Sequence, residues 1–114
     1  MNEIKTKKMG STFAREISYI LTTEVKDPNA KFATITGCDV TNDLSYAKVY
    51  FTTLKENVDN VTNSLNKAAN FIELELAKRI DIRKMPQITF HYDTSYEYGQ
   101  NIEKLIEEIH KEDE

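Results

Sequence analysis

The sequence predicts an α+β domain in which a small mixed three-stranded sheet carries helices on one face. Three observations point to that class. Apolar residues recur every three or four positions from about Met9 to Val25 and again from about Val58 to Ile80, the period of a helix with one buried stripe. Stretches rich in β-branched and aromatic residues occupy Lys31 to Thr41, Tyr46 to Leu54 and Gln87 to Asp93. The short Asn42-Asp43 turn makes the first two strands a hairpin, and the long helical stretch before the third is a crossover connection.

In the first helix the stripe is Met9, Phe13, Ile17, Ile20, Leu21 and Val25, and Pro28 stops it by lacking an N–H and displacing its predecessor from helical geometry. The first strand alternates at Ala33 and Ile35, then changes phase to Cys38 and Val40. Gly37 stands at the change, so a bulge is expected there. The second strand turns Ala47, Val49 and Phe51 to one face and Tyr46, Lys48, Tyr50 and Thr52 to the other. The following helical stripe runs through Val61, Leu65, Ala68, Ile72, Leu76 and Ile80. Asn70, a poor helix-interior residue that tolerates left-handed backbone, predicts a kink or break at Ala68-Ala69-Asn70. The third strand turns Ile88, Phe90 and Tyr92 inward, and a last helix from near Ser95 to Lys111 carries Ile102, Leu105, Ile106 and Ile109. The order is α-β-β-α-kink-α-β-α.

With 114 residues, 39% hydrophobic and 30% charged, the chain suits one domain over 1–114, with residues 1–8 and those after about 110 loosely held. No apolar run nears the roughly 20 residues of a membrane span, and the opening residues do not read as a secretory leader. Cys38 has no partner thiol, so a cytoplasmic protein without disulfide or zinc is expected. Net charge is −4, but residues 97 to 114 alone carry −5, leaving a body of +1 with local basic clusters. That balance neither demands nor forbids a nucleic-acid partner.

Few residues suggest chemistry. Gly10, Gly37 and Gly99 are too dispersed for a phosphate loop, and His91 and His110 lack metal-ligand spacing. His91 with Asp93 reads as a surface pair, Cys38 as a small hydrophobe, and Glu73, Glu75 and Asp81 as the solvated face of a helix. Tyr46 and Tyr50 are able to stack bases or to cover the sheet. The basic residues carry more. Lys5, Lys7 and Lys8 lead into the first helix, and Lys78, Arg79, Arg83 and Lys84 gather before Met85-Pro86. Two readings of the second cluster stand: phosphate contact, or complementing a helix dipole at about 0.3–1 kcal/mol per cation.

Asp27-Pro28, then Thr34-Ile35-Thr36, then Asp43-Leu44-Ser45-Tyr46-Ala47-Lys48-Val49-Tyr50 form a pattern that resembles the bacterial ribosome-binding factor A family. Leu65-Asn66-Lys67-Ala68-Ala69, Phe71-Ile72, Lys78-Arg79-Ile80 and Arg83 through Phe90 continue it in order, as do Asp93 and Ser95, so the likeness covers residues 5 to 109. The resemblance implies a KH-like domain of the type II order, with an Ala-x-Gly kink where other KH domains carry GxxG. Ala68, Ala69 and Asn70 stand at those positions here. It further implies a monomeric, cytoplasmic, non-enzymatic factor, without cofactor, for ribosome biogenesis and cold adaptation. Such a factor binds free 30S subunits, assists their late maturation and the processing of the 5′ end of 16S rRNA, and works beside ribosome-associated GTPases.

The expected RNA contacts are Lys67, Asn70, Lys78, Arg79, Arg83 and Lys84, helped by Lys5, Lys7 and Lys8, with the helix N-terminus after the Asn70 kink offering free N–H groups. The alternative is a protein-interaction module of the same fold without RNA contact, for which the net negative charge and the missing GxxG speak. A third class is a small nuclease using His91.

Overall fold

Strict alternation makes β2 (Tyr46–Thr52) the centre of the molecule: Ala47, Val49 and Phe51 are completely buried, while Tyr46 and Lys48 are exposed. The computed structural model describes residues 3–94. Its other elements are α1 (Glu3–Thr23), β1 (Thr34–Val40), α2 (Val58–Arg79) and β3 (Gln87–Tyr92), with short 3-10 turns at Ala30–Phe32 and Lys55–Asn57. β1 pairs antiparallel and β3 parallel with β2, giving the order β1-β2-β3 and the mixed sheet expected. Phe13, Ile17, Ile20 and Leu21 of α1 and Val61, Leu65, Ile72 and Leu76 of α2 close the core against the inner face. The expected last helix from near Ser95 lies outside the described residues.

The phase change in β1 is a bulge. Ile35 pairs with Phe51 and Gly37 with Tyr50, so Thr36 is the extra residue. Neither glycine near this junction has positive φ. Gly10 is needed instead for closeness: a Cβ there would overlap the Cys38 carbonyl oxygen, so α1 lies directly on β1 just past the bulge.

Two expectations are corrected. α1 begins at Glu3, well before Met9, which draws the lysine group into its first turns. The expected kink is absent: α2 passes unbroken through Ala68, Ala69 and Asn70, and Leu44 is the only non-glycine residue with positive φ among those described. Ala68 and Ala69 have the highest helix propensity, whereas Asn70 costs only about 0.6 kcal/mol relative to alanine. The stripe Val61-Leu65-Ala68-Ile72-Leu76 keeps spacings of three and four straight across Asn70, so core packing on both sides holds the helix together. The exposed Asn70 side chain simply points to solvent.

Leu44 takes φ 60° in the β1–β2 turn, a conformation that a branched side chain adopts only when its surroundings impose it. Thr41 and Asp43 impose it. Asp43 Oδ1 accepts from Ser45 N at 3.0 Å and from Thr41 Oγ1 at 2.8 Å, and Thr41 Oγ1 accepts from the amides of Ser45 and Tyr46 at 3.1 Å each. The Ser45 side chain, then Thr41 Oγ1 and the Ser45 amide, with a smaller contribution from the Lys84 charge, draw the Asp43 carboxyl down to about 2. A depressed carboxyl contributes stability above its unfolded value near 4 that is lost as pH falls through about 2. Asp43→Asn keeps the acceptor oxygen and removes the charge. Thermal unfolding should therefore separate the two proteins at pH 6 and bring them together between pH 4 and 2; a gap constant with pH would refute the charge as the cause.

Glu73, expected on a solvated helix face, reaches the β3 edge of the sheet, which has no further strand among the described residues: its Oε1 accepts from the Ile88 amide at 2.8 Å. One otherwise open edge donor of β3 is thereby closed by α2.

Candidate nucleic-acid interface

Lys5, Lys7 and Lys8 occupy the first turns of α1, the positive end of its dipole. Cations there oppose the helix electrostatics, so complementing the dipole does not account for them. It does account for Lys78 and Arg79, in the last turn of α2.

The fold brings the two basic groups of the sequence to one end. Beyond α2, Ile80 lines a groove with Lys5, Lys8, Met9, Thr12 and Phe13 of α1. Thr6 and Lys7 line another with Asp39 and Val40 at the end of β1. The segment from Ile80 then runs to β3, where Gln87 N donates to Ser45 O at 2.9 Å and the Lys84 charge acts on Asp43. The first turns of α1, the β1–β2 turn and Arg83-Lys84 thus share one end of the sheet. Lys7, Lys8, Arg83 and Lys84 are exposed and have no ion-pair partner among the described residues.

Arg79 does not join them. Its guanidinium lies 3.8 Å from Glu16 Oε2 and 3.4 Å from Glu24 Oε1, and stands 4.8 Å from the centre of the Tyr19 ring. This is a clamp between the end of α2 and α1, a cation–π contact with two carboxylates around it. Lys78 pairs with Glu75 at 3.2 Å, an exposed pair of about 0.3–0.5 kcal/mol that a stronger anion displaces easily. The sequence hid the Arg79 clamp because Glu16, Tyr19 and Glu24 are some 55 to 63 positions away. Only the i, i+3 spacing of Glu16 and Tyr19 on α1, with Glu24 just past its end, hinted that they act together.

Lys67 and Asn70 lie on α2, exposed, with Asn70 beside a shallow groove lined by Glu73, Leu74, Ala77 and Met85. The continuous helix removes the free N–H groups expected after Asn70, since each of those amides bonds within α2. A phosphate at this place would meet side chains alone.

The remaining candidates take quiet roles. Burial, reinforced by the neighbouring Asp39 charge, pushes the half-buried Cys38 thiol up to about 12, so it stays protonated at neutral pH. His91 Nε2 lies 2.9 Å from Thr89 Oγ1, and Asp93 Oδ2 accepts from Thr36 Oγ1 at 2.7 Å, so these two side chains bind separate threonines. Among the described residues, no three His, Cys, Asp or Glu side chains are grouped to hold a metal ion, and no helix is long and apolar enough to cross a membrane.

Comparison with known proteins agrees with this architecture. The model of the ribosome-binding factor A family matches residues 5–106. Ribosome-binding factor A of Staphylococcus epidermidis is 47% identical over 99% of both chains. The crystal structure of ribosome-binding factor A from Thermus thermophilus superposes with a TM-score of 0.70 at 20% identity, covering 76% of this chain and 93% of that one. A homology model of the Thermus thermophilus factor, fitted into a cryo-EM map of its 30S complex, gives 0.64 at 20% identity over 75% and 92%. A match across nearly the whole chain, carried by the same fold, makes this protein a member of the ribosome-binding factor A family.

Proposed function

We propose that this protein binds free 30S ribosomal subunits and assists their late maturation, including processing of the 5′ end of 16S rRNA, without catalysing a reaction itself. The supporting observation is the gathering of Lys7, Lys8, Arg83 and Lys84 at one end of a chain of this family. Cations placed against a helix dipole and outside ion pairs are suited to phosphate, whose neutralisation releases counterions. Lys5 and Lys67 extend the surface, Lys78 is recruited by exchange from Glu75, and Arg79 supports it by fixing α2 to α1. Asn70 contributes a side-chain hydrogen bond to the same partner. The protein acts in the cytoplasm as a monomer, and a ribosome-associated GTPase promotes its departure.

The salt dependence of binding to purified small subunits tests the reading. Three or more phosphate contacts give a log–log slope steeper than about 2. A slope near zero would favour the second reading, a protein-interaction surface, for which the exposed Leu74 and Phe71 on α2 speak.

A further inference from the structure

The outer face of the sheet offers a second contact for the RNA proposed above. Both helices pack on the inner face, and β2 turns Tyr46, Lys48 and Tyr50 outward in a row about 13 Å long. The two tyrosines differ. Tyr50 is half-buried, its ring lies 5.9 Å from that of His91, and the Asp39 and Asp93 carboxylates stand near enough to its hydroxyl to disfavour its ionisation. That end of the row is anionic and already occupied. Tyr46 is 50% exposed and touches no other ring among the described residues; Lys48, two positions along the same face, stands opposite Asp39 across the ladder.

Tyr46 is also rigidly placed. Its amide donates to Thr41 Oγ1 at 3.1 Å and its carbonyl accepts from Thr41 N at 2.9 Å, so the strained turn at Leu44 fixes the backbone from which the ring projects. Across the ladder its partner is Gln87, three residues from Lys84 and four from Arg83. A planar apolar ring at the margin of a cationic end is what a base needs when its phosphates are held by the cations alongside.

The geometry points to Tyr46 as a base-stacking residue: it receives an unpaired base of a single-stranded RNA segment whose backbone runs along Arg83-Lys84. The inference rests on the RNA-binding reading and adds the class of RNA, single-stranded, and the residue that distinguishes it from duplex. Charge selects this occupant over a cationic polypeptide, because exposed Arg83 and Lys84 outnumber Asp43 at the Tyr46 end; Asp39 faces Lys48 across the ladder and, with Asp93, lies near Tyr50.

Affinity is measured for an unstructured, mixed-sequence RNA of about 12 nucleotides, for the same sequence as a duplex, and for purified small subunits, at two salt concentrations. Tyr46→Leu and Tyr46→Ala should each weaken single-strand binding about 5- to 150-fold, the span of one base–aromatic stack, with the salt slope unchanged. Tyr46→Phe should remain within about twofold of wild type, and duplex binding should not respond. Leucine keeps an apolar side chain on the strand, so its loss of affinity with an unchanged melting temperature separates stacking from folding. Single-strand affinity that survives Tyr46→Leu overturns the inference while Arg83 and Lys84 keep their role. Loss on subunits alone means that the face takes a protein, and overturns it too. Failure of the wild type to bind either RNA overturns the RNA-binding reading itself.

Discussion

Reversing two charges, Arg83→Glu with Lys84→Glu, should weaken binding to small ribosomal subunits by roughly tenfold or more for each residue and flatten its salt dependence. The magnitude follows from the bonds to phosphate that the two cations would make. A charge-assisted hydrogen bond to an ionised partner is worth about 1.5–3 kcal/mol, and each phosphate no longer neutralised removes about 0.7–0.9 from the log–log salt slope. The double variant should therefore lose about 1.5 from that slope. Both residues are exposed, and Arg83 is outside every ion pair among the described residues, so the melting temperature should barely move. The Lys84 change brings a carboxylate towards Asp43, so Lys84→Gln serves as the control for the turn. An Arg79→Glu variant should behave oppositely, losing thermal stability through its clamp with Glu16, Glu24 and Tyr19. Equal salt slopes for wild type and double variant would remove Arg83 and Lys84 from the interface.

Gly10→Ala should lower stability by about 1–3 kcal/mol, a fall of roughly 4–12 °C in melting temperature for a domain of this size. Alanine ordinarily stabilises a helix relative to glycine by about 1 kcal/mol, so the expected sign is the reverse of the helix propensity. The reason is the Cys38 carbonyl oxygen, backbone held in the β1–β2 ladder, which has no rotamer with which to step aside. Gly37→Ala is the matched control. A Cβ there meets nothing within 4 Å, and its φ is not positive, so the substitution should leave stability unchanged or raise it slightly. An unfolding midpoint for Gly10→Ala equal to or above that of wild type would contradict the close packing of α1 on β1.

Much of this fold is readable from side-chain periodicity because each element buries one face only. The bulge is visible as a phase change between Ile35 and Cys38 with a glycine at the step, and the structure places the extra residue, Thr36, there. The helix break expected at Asn70 misreads local propensity: it weighs one unfavourable residue above a stripe that continues on both sides of it. What periodicity does not contain is long-range pairing. Glu73 on the Ile88 amide, Arg79 between Glu16 and Glu24, and Gly10 under Cys38 join residues 15 to 63 positions apart, and none has a local signature. The basic end is half readable. Both clusters stand out as charge runs, but their meeting depends on α1 starting at Glu3 and on Ile80 settling against Met9 and Phe13.

The most direct test is sedimentation of the purified protein through a gradient with free small subunits and, separately, with assembled ribosomes, at low and moderate salt. The account predicts co-migration with free small subunits alone, diminishing as salt rises. Absence from the small-subunit fraction at low salt, or equal binding to assembled ribosomes, would contradict it.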